Sequence, residues 1–237
     1  MKLLSFDSSG SSLTVSLLEN GTIISELIEP PEQNGRQEAL SRLMPAIDTA
    51  VQAAGWEKED IDILVVGIGP GSFTGIRTCV VTARTLAQAL GLPLIGLDSM
   101  FCHALDLELP GVIITGGGRG HFFVASYAMP KDSTSLPEVL QPPTCIKADD
   151  IESHLKGAER VYVESELKDN FKGMRSCPCN ELPRLSNLAS TQALVAWKTI
   201  TSKYQHVNED VDGLAKEYDF QRVLPLYLRN PSITLKK

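Results

Sequence analysis

The run IDILVVGIGPGSFTGIR, residues 61–77, changes character in its middle. Ile61 to Ile68 is apolar nearly throughout, as a strand covered on both faces should be. Four glycines and a proline then fall within residues 67–75. From there Ile76, Val80, Ala83, Leu86 and Leu90 recur at helical spacing, and Gly91 and Pro93 close the helix. Glycine is needed where the backbone reaches positive φ or where another group comes very close. Here that group is a phosphate, a substrate or another protein.

Upstream, Lys2 to Phe6 reads as a strand, followed by the turn-rich Asp7-Ser8-Ser9-Gly10-Ser11. Leu13, Val15 and Leu17 alternate with polar residues, and Asn20-Gly21 is a hairpin signal before the paired strand Thr22 to Ile28. After Pro30-Pro31, Leu40, Leu43, Ile47, Val51 and Ala54 mark a helix ended by Gly55. Pro93 to Leu97 is a further strand, and Asp98-Ser99 an N-cap for residues 100–107. The order β-β-β-α-β-α-β predicts an antiparallel meander feeding parallel units of a mixed sheet.

The second half repeats this more faintly. Strands are expected over 111–115 and 122–127, flanking Gly116-Gly117-Gly118-Arg119-Gly120. A proline-rich stretch (Pro130, Pro137, Pro142, Pro143) reads as loop and edge strand. A short helix over 149–155, a strand over 160–163 and a longer helix over 188–203 follow. The expectation is two lobes, 1–107 and a reduced, divergent 108–237, or alternatively one larger sheet.

Composition narrows the chemistry. The 237 residues are 43% hydrophobic and carry a net charge of −7, with no basic run beyond Lys236-Lys237. A protein that grips nucleic acid alone usually shows a basic patch, so a partner is expected to carry any nucleic acid. No apolar stretch approaches a membrane span, and Met1 to Asp7 does not read as a signal peptide, so a cytoplasmic protein is expected. Five scattered cysteines, including Cys177-Pro178-Cys179, and four histidines at no ligand spacing give no disulfide framework and no metal site.

Three turns can hold an anion: Asp7 to Gly10, Gly67 to Gly75 and Gly116 to Gly120. The middle one fails every specific template. It has no lysine for a P-loop, its Ser72 is one place early for a nucleophile elbow, and it lacks the G-x-G-x-x-G spacing. The candidate nucleotide or anion contacts are Asp7, Ser8, Ser9, Gly69, Gly71, Ser72, Thr74, Gly75 and Arg77. For the glycines the alternative is tight packing of helix on sheet; for Asp7 it is an Asx turn bonded to its own backbone. No Ser/His/Asp set can be assembled.

Phe6-Asp7-Ser8-Ser9, Leu43-Met44-Pro45, VVGIGPGSFTGIR (65–77), GLPLIGLDSM (91–100) and LPLYLR (224–229) together resemble the TsaB (YeaZ) family. Its members are bacterial accessory subunits for making threonylcarbamoyladenosine in tRNA. The likeness is close up to residue 100 and rests afterwards on Tyr227-Leu228-Arg229. It implies an α/β, two-lobed actin-like fold of the sugar-kinase and heat-shock-ATPase superfamily, with ribonuclease H-like lobes and mixed β-sheets. It also implies a non-catalytic role with no catalytic residue, intrinsic cofactor or metal. The homologous transferase TsaD is the expected partner, docked on the first two helices. The TsaE ATPase joins the complex, tRNA is bound through it, any ATP sits at the partner interface, and the chain alone forms a homodimer. The docking residues expected are Ala39, Arg42, Ala46, Thr49 and Ala53 on the first helix and Thr78, Val81, Thr82 and Thr85 on the second. The chain departs from relatives at Ala39-Leu40-Ser41, where many carry a His-Ser-Glu-type stretch, and at Gly116 to His121, where acid and base are missing. The alternative function is a small-molecule ATP-dependent phosphotransferase using Asp7 and the glycine turns; a glycoprotease-like peptidase has less support.

Overall fold

The computed structural model describes residues 1–30, 39–132, 135–171, 179–183, 185, 187–204 and 211–229. Cys177-Pro178, Lys236-Lys237 and the side chains of Ala39 and Leu40 lie outside the described residues.

The chain opens with the expected meander: β1 (Lys2–Asp7), β2 (Leu13–Glu19) and β3 (Thr22–Glu29). Asn20 and Gly21 join β2 to β3 at φ 49° and 85°, the pair of positive angles a two-residue hairpin turn needs. Helix α1 (Ala39–Ala53) leads to β4 (Ile63–Gly69), and α2 (Phe73–Leu90) leads to β5 (Leu94–Asp98). Gly91 ends α2 in the left-handed conformation at φ 69°, its N–H bonded to the Ala87 carbonyl. The sheet order is β3-β2-β1-β4-β5, with β4 parallel to β1 and β5. Helix α3 (Ser99–Ala104) starts directly after β5, and the Asp98 carboxylate accepts the Met100 N–H at 2.8 Å.

The second sheet has the same plan in fewer residues. β6 (Gly111–Gly118), β7 (His121–Ala128) and β8 (Glu138–Lys147) form an antiparallel meander. β9 (Val161–Val163) and β10 (Cys179–Glu181) add in parallel on the other side of β6, giving β10-β9-β6-β7-β8. Where the first sheet has long crossover helices, this one has α4 (Ile151–His154) and a 3-10 stretch, Ser165–Phe171. Phe122 and Phe171 meet at 5.1 Å in its core, with Ile114, Val124, Ile151, Leu155 and Val161 around them. Pro142 and Pro143 lie on β8, an edge strand, where a missing N–H costs no ladder bond.

After β10 the chain forms α5 (Leu188–Lys203) and α6 (Val211–Glu217), and both return to the first sheet. By contacts the units are 1–102 with 185–226, and 103–184 with the segment from Tyr227. The sequence boundary at 107 assigned everything later to the second lobe. The difference has a simple cause. One face of the first sheet (Leu4, Phe6, Leu64, Val66) is covered by Leu43, Ala46 and Ile47 of α1 and Ile76, Val80 and Ala83 of α2. The other face (Leu3, Leu18, Ile63, Val65) is equally apolar, and Ala193, Ala196 and Ile200 of α5 cover it. Among the described residues, no helix is long and apolar enough to cross a membrane.

Candidate functional site

Asp7 ends β1 and is 1% exposed. Its Oδ1 accepts the Ser9 N–H at 2.6 Å and the Ser9 hydroxyl at 2.7 Å. Its Oδ2 accepts the Gln192 amide at 2.7 Å and the Ser99 hydroxyl at 3.2 Å. Burial pushes the carboxyl above its ordinary range, against the pull of these hydrogen bonds. The Asx turn and the packing reading thus hold together. Cys79 lies behind this loop with its thiol 3.1 Å from Ser8 Oγ; burial, aided by the charge of Asp7, pushes it up to about 12, so it is no thiolate near neutral pH.

The glycine turn fits around the same three residues. A Cβ on Gly67 would lie 1.5 Å from Asp7 Oδ2, one on Gly71 2.2 Å from the Ser9 carbonyl oxygen, and one on Gly75 1.9 Å from that of Ser8. The Ser72 N–H donates to Ser9 O at 2.7 Å, and Ser8 Oγ donates to Gly75 O at 3.0 Å. Gly69 supplies the positive φ, 97°. Ser72 caps α2, its Oγ accepting the Gly75 N–H at 3.3 Å. What comes close to the glycines is therefore the chain's own Asp7–Ser9 loop. Asp7, Ser8, Ser9, Gly71, Ser72 and Gly75 meet in one knot, with Gly69 in the same turn, while Thr74 and Arg77 stay exposed on α2. The sequence reading missed Gln192 and used Ser99 only as a cap. The available signal was a glutamine, fully buried, among Ala189, Ala193 and Ala196 on the sheet-facing side of α5.

The second glycine turn has the opposite polarity to an anion cradle. Arg229 Nη1 donates to the carbonyls of Gly117 at 3.2 Å and Gly118 at 2.6 Å, and the Gly116 N–H donates to Glu164 at 2.8 Å. Among the described residues, no group of three His, Cys, Asp or Glu side chains could hold a metal ion.

The expected docking residues divide three ways. Ala46 needs correction: it is 1% exposed and packs in the core, because it stands three residues after Leu43 and four before Ala50 in the buried stripe. Arg42 is half-buried, paired with Glu29 at 2.6 Å and bonded to the Pro30 carbonyl at 3.0 Å. Thr78 and Thr82 are half-buried, whereas Thr49, Ala53, Val81 and Thr85 are exposed. The same two helices expose Met44 (47%) and Phe73 (37%), apolar side chains absent from the expected set, beside Val81 (55%).

Two sheets of identical strand order, each a meander joined to parallel crossovers, define a two-lobed actin-like α/β protein. The solved structure of YeaZ from Pseudomonas aeruginosa superposes with a TM-score of 0.69 at 16% identity, covering 96% of this chain and 99% of that one, and bears on the fold alone. A family model described as "TsaD: tRNA N6-adenosine threonylcarbamoyltransferase" matches residues 31–164, more than half of the chain. The chain therefore belongs to that family, and within it is similar to the TsaB (YeaZ) members. The "tRNA threonylcarbamoyladenosine biosynthesis protein TsaB" of Bacillus subtilis is 34% identical over 100 residues, covering 42% of each chain. Its Escherichia coli counterpart is 31% identical over 104 residues, covering 44% of this chain and 43% of that protein. The matched stretch thus spans less than half the length of these curated relatives.

Proposed function

We propose that the chain is a non-catalytic subunit in the synthesis of threonylcarbamoyladenosine in tRNA, pairing through α1 and α2 with the threonylcarbamoyltransferase and bringing the TsaE ATPase to it. The observation that carries this reading is the state of Asp7. The acid that would organise a nucleotide site has both oxygens taken by Ser9, Ser99 and Gln192. The turn that would cradle phosphate is filled by Ser8 and Ser9. The exposed Met44, Phe73 and Val81, on helices otherwise lined with small and polar residues, support a docking role for that surface. On this reading the chain works in the cytoplasm, any ATP is held at the partner interface, tRNA is met through the complex, and the chain alone pairs with a second copy.

The test is titration of the chain with the threonylcarbamoyltransferase, followed by the same titration with Val81→Glu. A charge at the centre of a desolvated contact should weaken binding at least ~30-fold, about 2 kcal/mol. Binding unchanged by Val81→Glu would remove this helix face from the interface. Micromolar binding of ATP and magnesium by the isolated chain, with turnover of an acceptor, would favour the phosphotransferase instead.

A further inference from the structure

We propose that Asp7 and Gln192 form a relay by which α5 sets the position of the N-terminus of α2. Every link is a short contact within one unit, between buried groups up to the half-buried Ser72. Gln192, on α5, donates to Asp7 at 2.7 Å. Asp7 holds Ser9 by its N–H at 2.6 Å and its hydroxyl at 2.7 Å. The Ser9 carbonyl accepts the N–H of Ser72, the cap of α2, at 2.7 Å. The neighbouring Ser8 hydroxyl donates to Gly75 O inside the first turn of that helix. Hydrogen bonds fix directions, and the bare glycines leave no slack. Ser8 O and Ser9 O already stand where side chains at residues 75 and 71 would begin. A displacement of α5 at Gln192 must therefore be met by Asp7, then Ser9, then the start of α2.

A second observation marks Gln192 as placed for Asp7 rather than for packing. Its Oε1 is fully buried and has no hydrogen-bond partner, so the side chain gives up one polar atom to present the other. An apolar residue would fill the same space without that cost. Gln192 is thus a positioning residue, acting through Asp7 and Ser9. Its effect on partner affinity rests on the docking reading above; its effect on α2 does not.

Amide hydrogen exchange on the full chain tests the relay. With Gln192→Ala, the amides of Ser72 and Ile76 should exchange at least ~10-fold faster, while those of α1 keep their rates. Gln192→Met keeps most of the volume but has no group to donate to Asp7; it should act in the same way and carries the test should the alanine variant not fold. Asp7→Asn should stay near wild type. Its oxygen still accepts from Ser9, and its NH2 donates to Gln192 Oε1 once that amide rotates, giving the orphan atom a partner. Ser72 exchange unchanged in both Gln192 variants, or raised only in step with the whole chain, overturns the relay. So does Asp7→Asn as loose as Gln192→Ala. Titration with the threonylcarbamoyltransferase separates the two readings: Val81→Glu binding like wild type sinks the docking surface, while the exchange result still decides the relay.

Discussion

The two glycine turns occupy different places, one leading from β4 into α2 and the other closing the β6–β7 hairpin, and they are held in different ways. The turn at 67–75 is packed: all four of its glycines face atoms closer than any Cβ tolerates. The turn at 116–120 is loose on one side, since nothing lies within 4 Å of a Cβ on Gly118 or Gly120, and its order comes from Arg229 and Glu164. Gly71 and Gly75 are a steric requirement, whereas Gly118 and Gly120 are a conformational one. The letters alone do not separate them.

The contrast is easiest to break with alanine. Gly75→Ala drives a methyl group into the Ser8 carbonyl and should cost about 3 kcal/mol or more, lowering Tm by roughly 6–12 °C in a chain of this size. Gly118→Ala meets open space and suffers from its φ of 68°, which costs about 1–2 kcal/mol. Thermal melts that rank Gly118 with Gly75 would erase the distinction.

Acid titration sharpens it further. His103, in the second unit, bonds the Pro183 carbonyl, while its Nδ1 is buried without a partner. Burial lowers its pKa from 6.5 to about 4, so the unfolded chain takes up the proton first. Stability should be full above pH 6.5 and fall as pH drops, by about 3 kcal/mol at pH 4. His103→Phe should flatten this stretch of the curve. Asp7, in the first unit, works in the other direction. Its folded pKa is raised, so its stabilising neutral form is lost as pH climbs through the raised value, and Asp7→Asn should remove that decline. A difference curve of the same sign for both variants would contradict the two burials.

The smallest effect belongs to Arg229→Ala. Losing two bonds to the Gly117 and Gly118 carbonyls at a half-exposed site should cost about 1 kcal/mol and speed exchange in residues 116–120, leaving 67–75 unchanged.

Much of the fold was legible because its signals are local. Alternation in β2, Asn20-Gly21 and the Gly91 cap each speak within a few residues, and each element stands where it was expected. The duplication was legible only in part: two lobes and one larger sheet both stayed open, and β10 (Cys179–Glu181) had no signal of its own. The site was less so. Asp7 and Gln192 are 185 residues apart, and no periodicity links an acid on a strand to a glutamine on a distant helix. Ala46 misled for another reason: alanine is at home on either face of a helix, and only the neighbouring Leu43 and Ala50 decide its side. The helices of the second lobe shrank to four residues in α4 and a seven-residue 3-10 stretch, and short elements carry too little pattern to read.

The return of α5 to the first sheet also sets an order of events during synthesis. The strands of that sheet are complete at Asp98, but the face beneath α5 stays uncovered until Lys203 has been made. At about 5–20 residues per second, that apolar surface waits roughly 5–20 s while the second unit is built. The first unit to begin folding therefore keeps one face open until most of the second has been made.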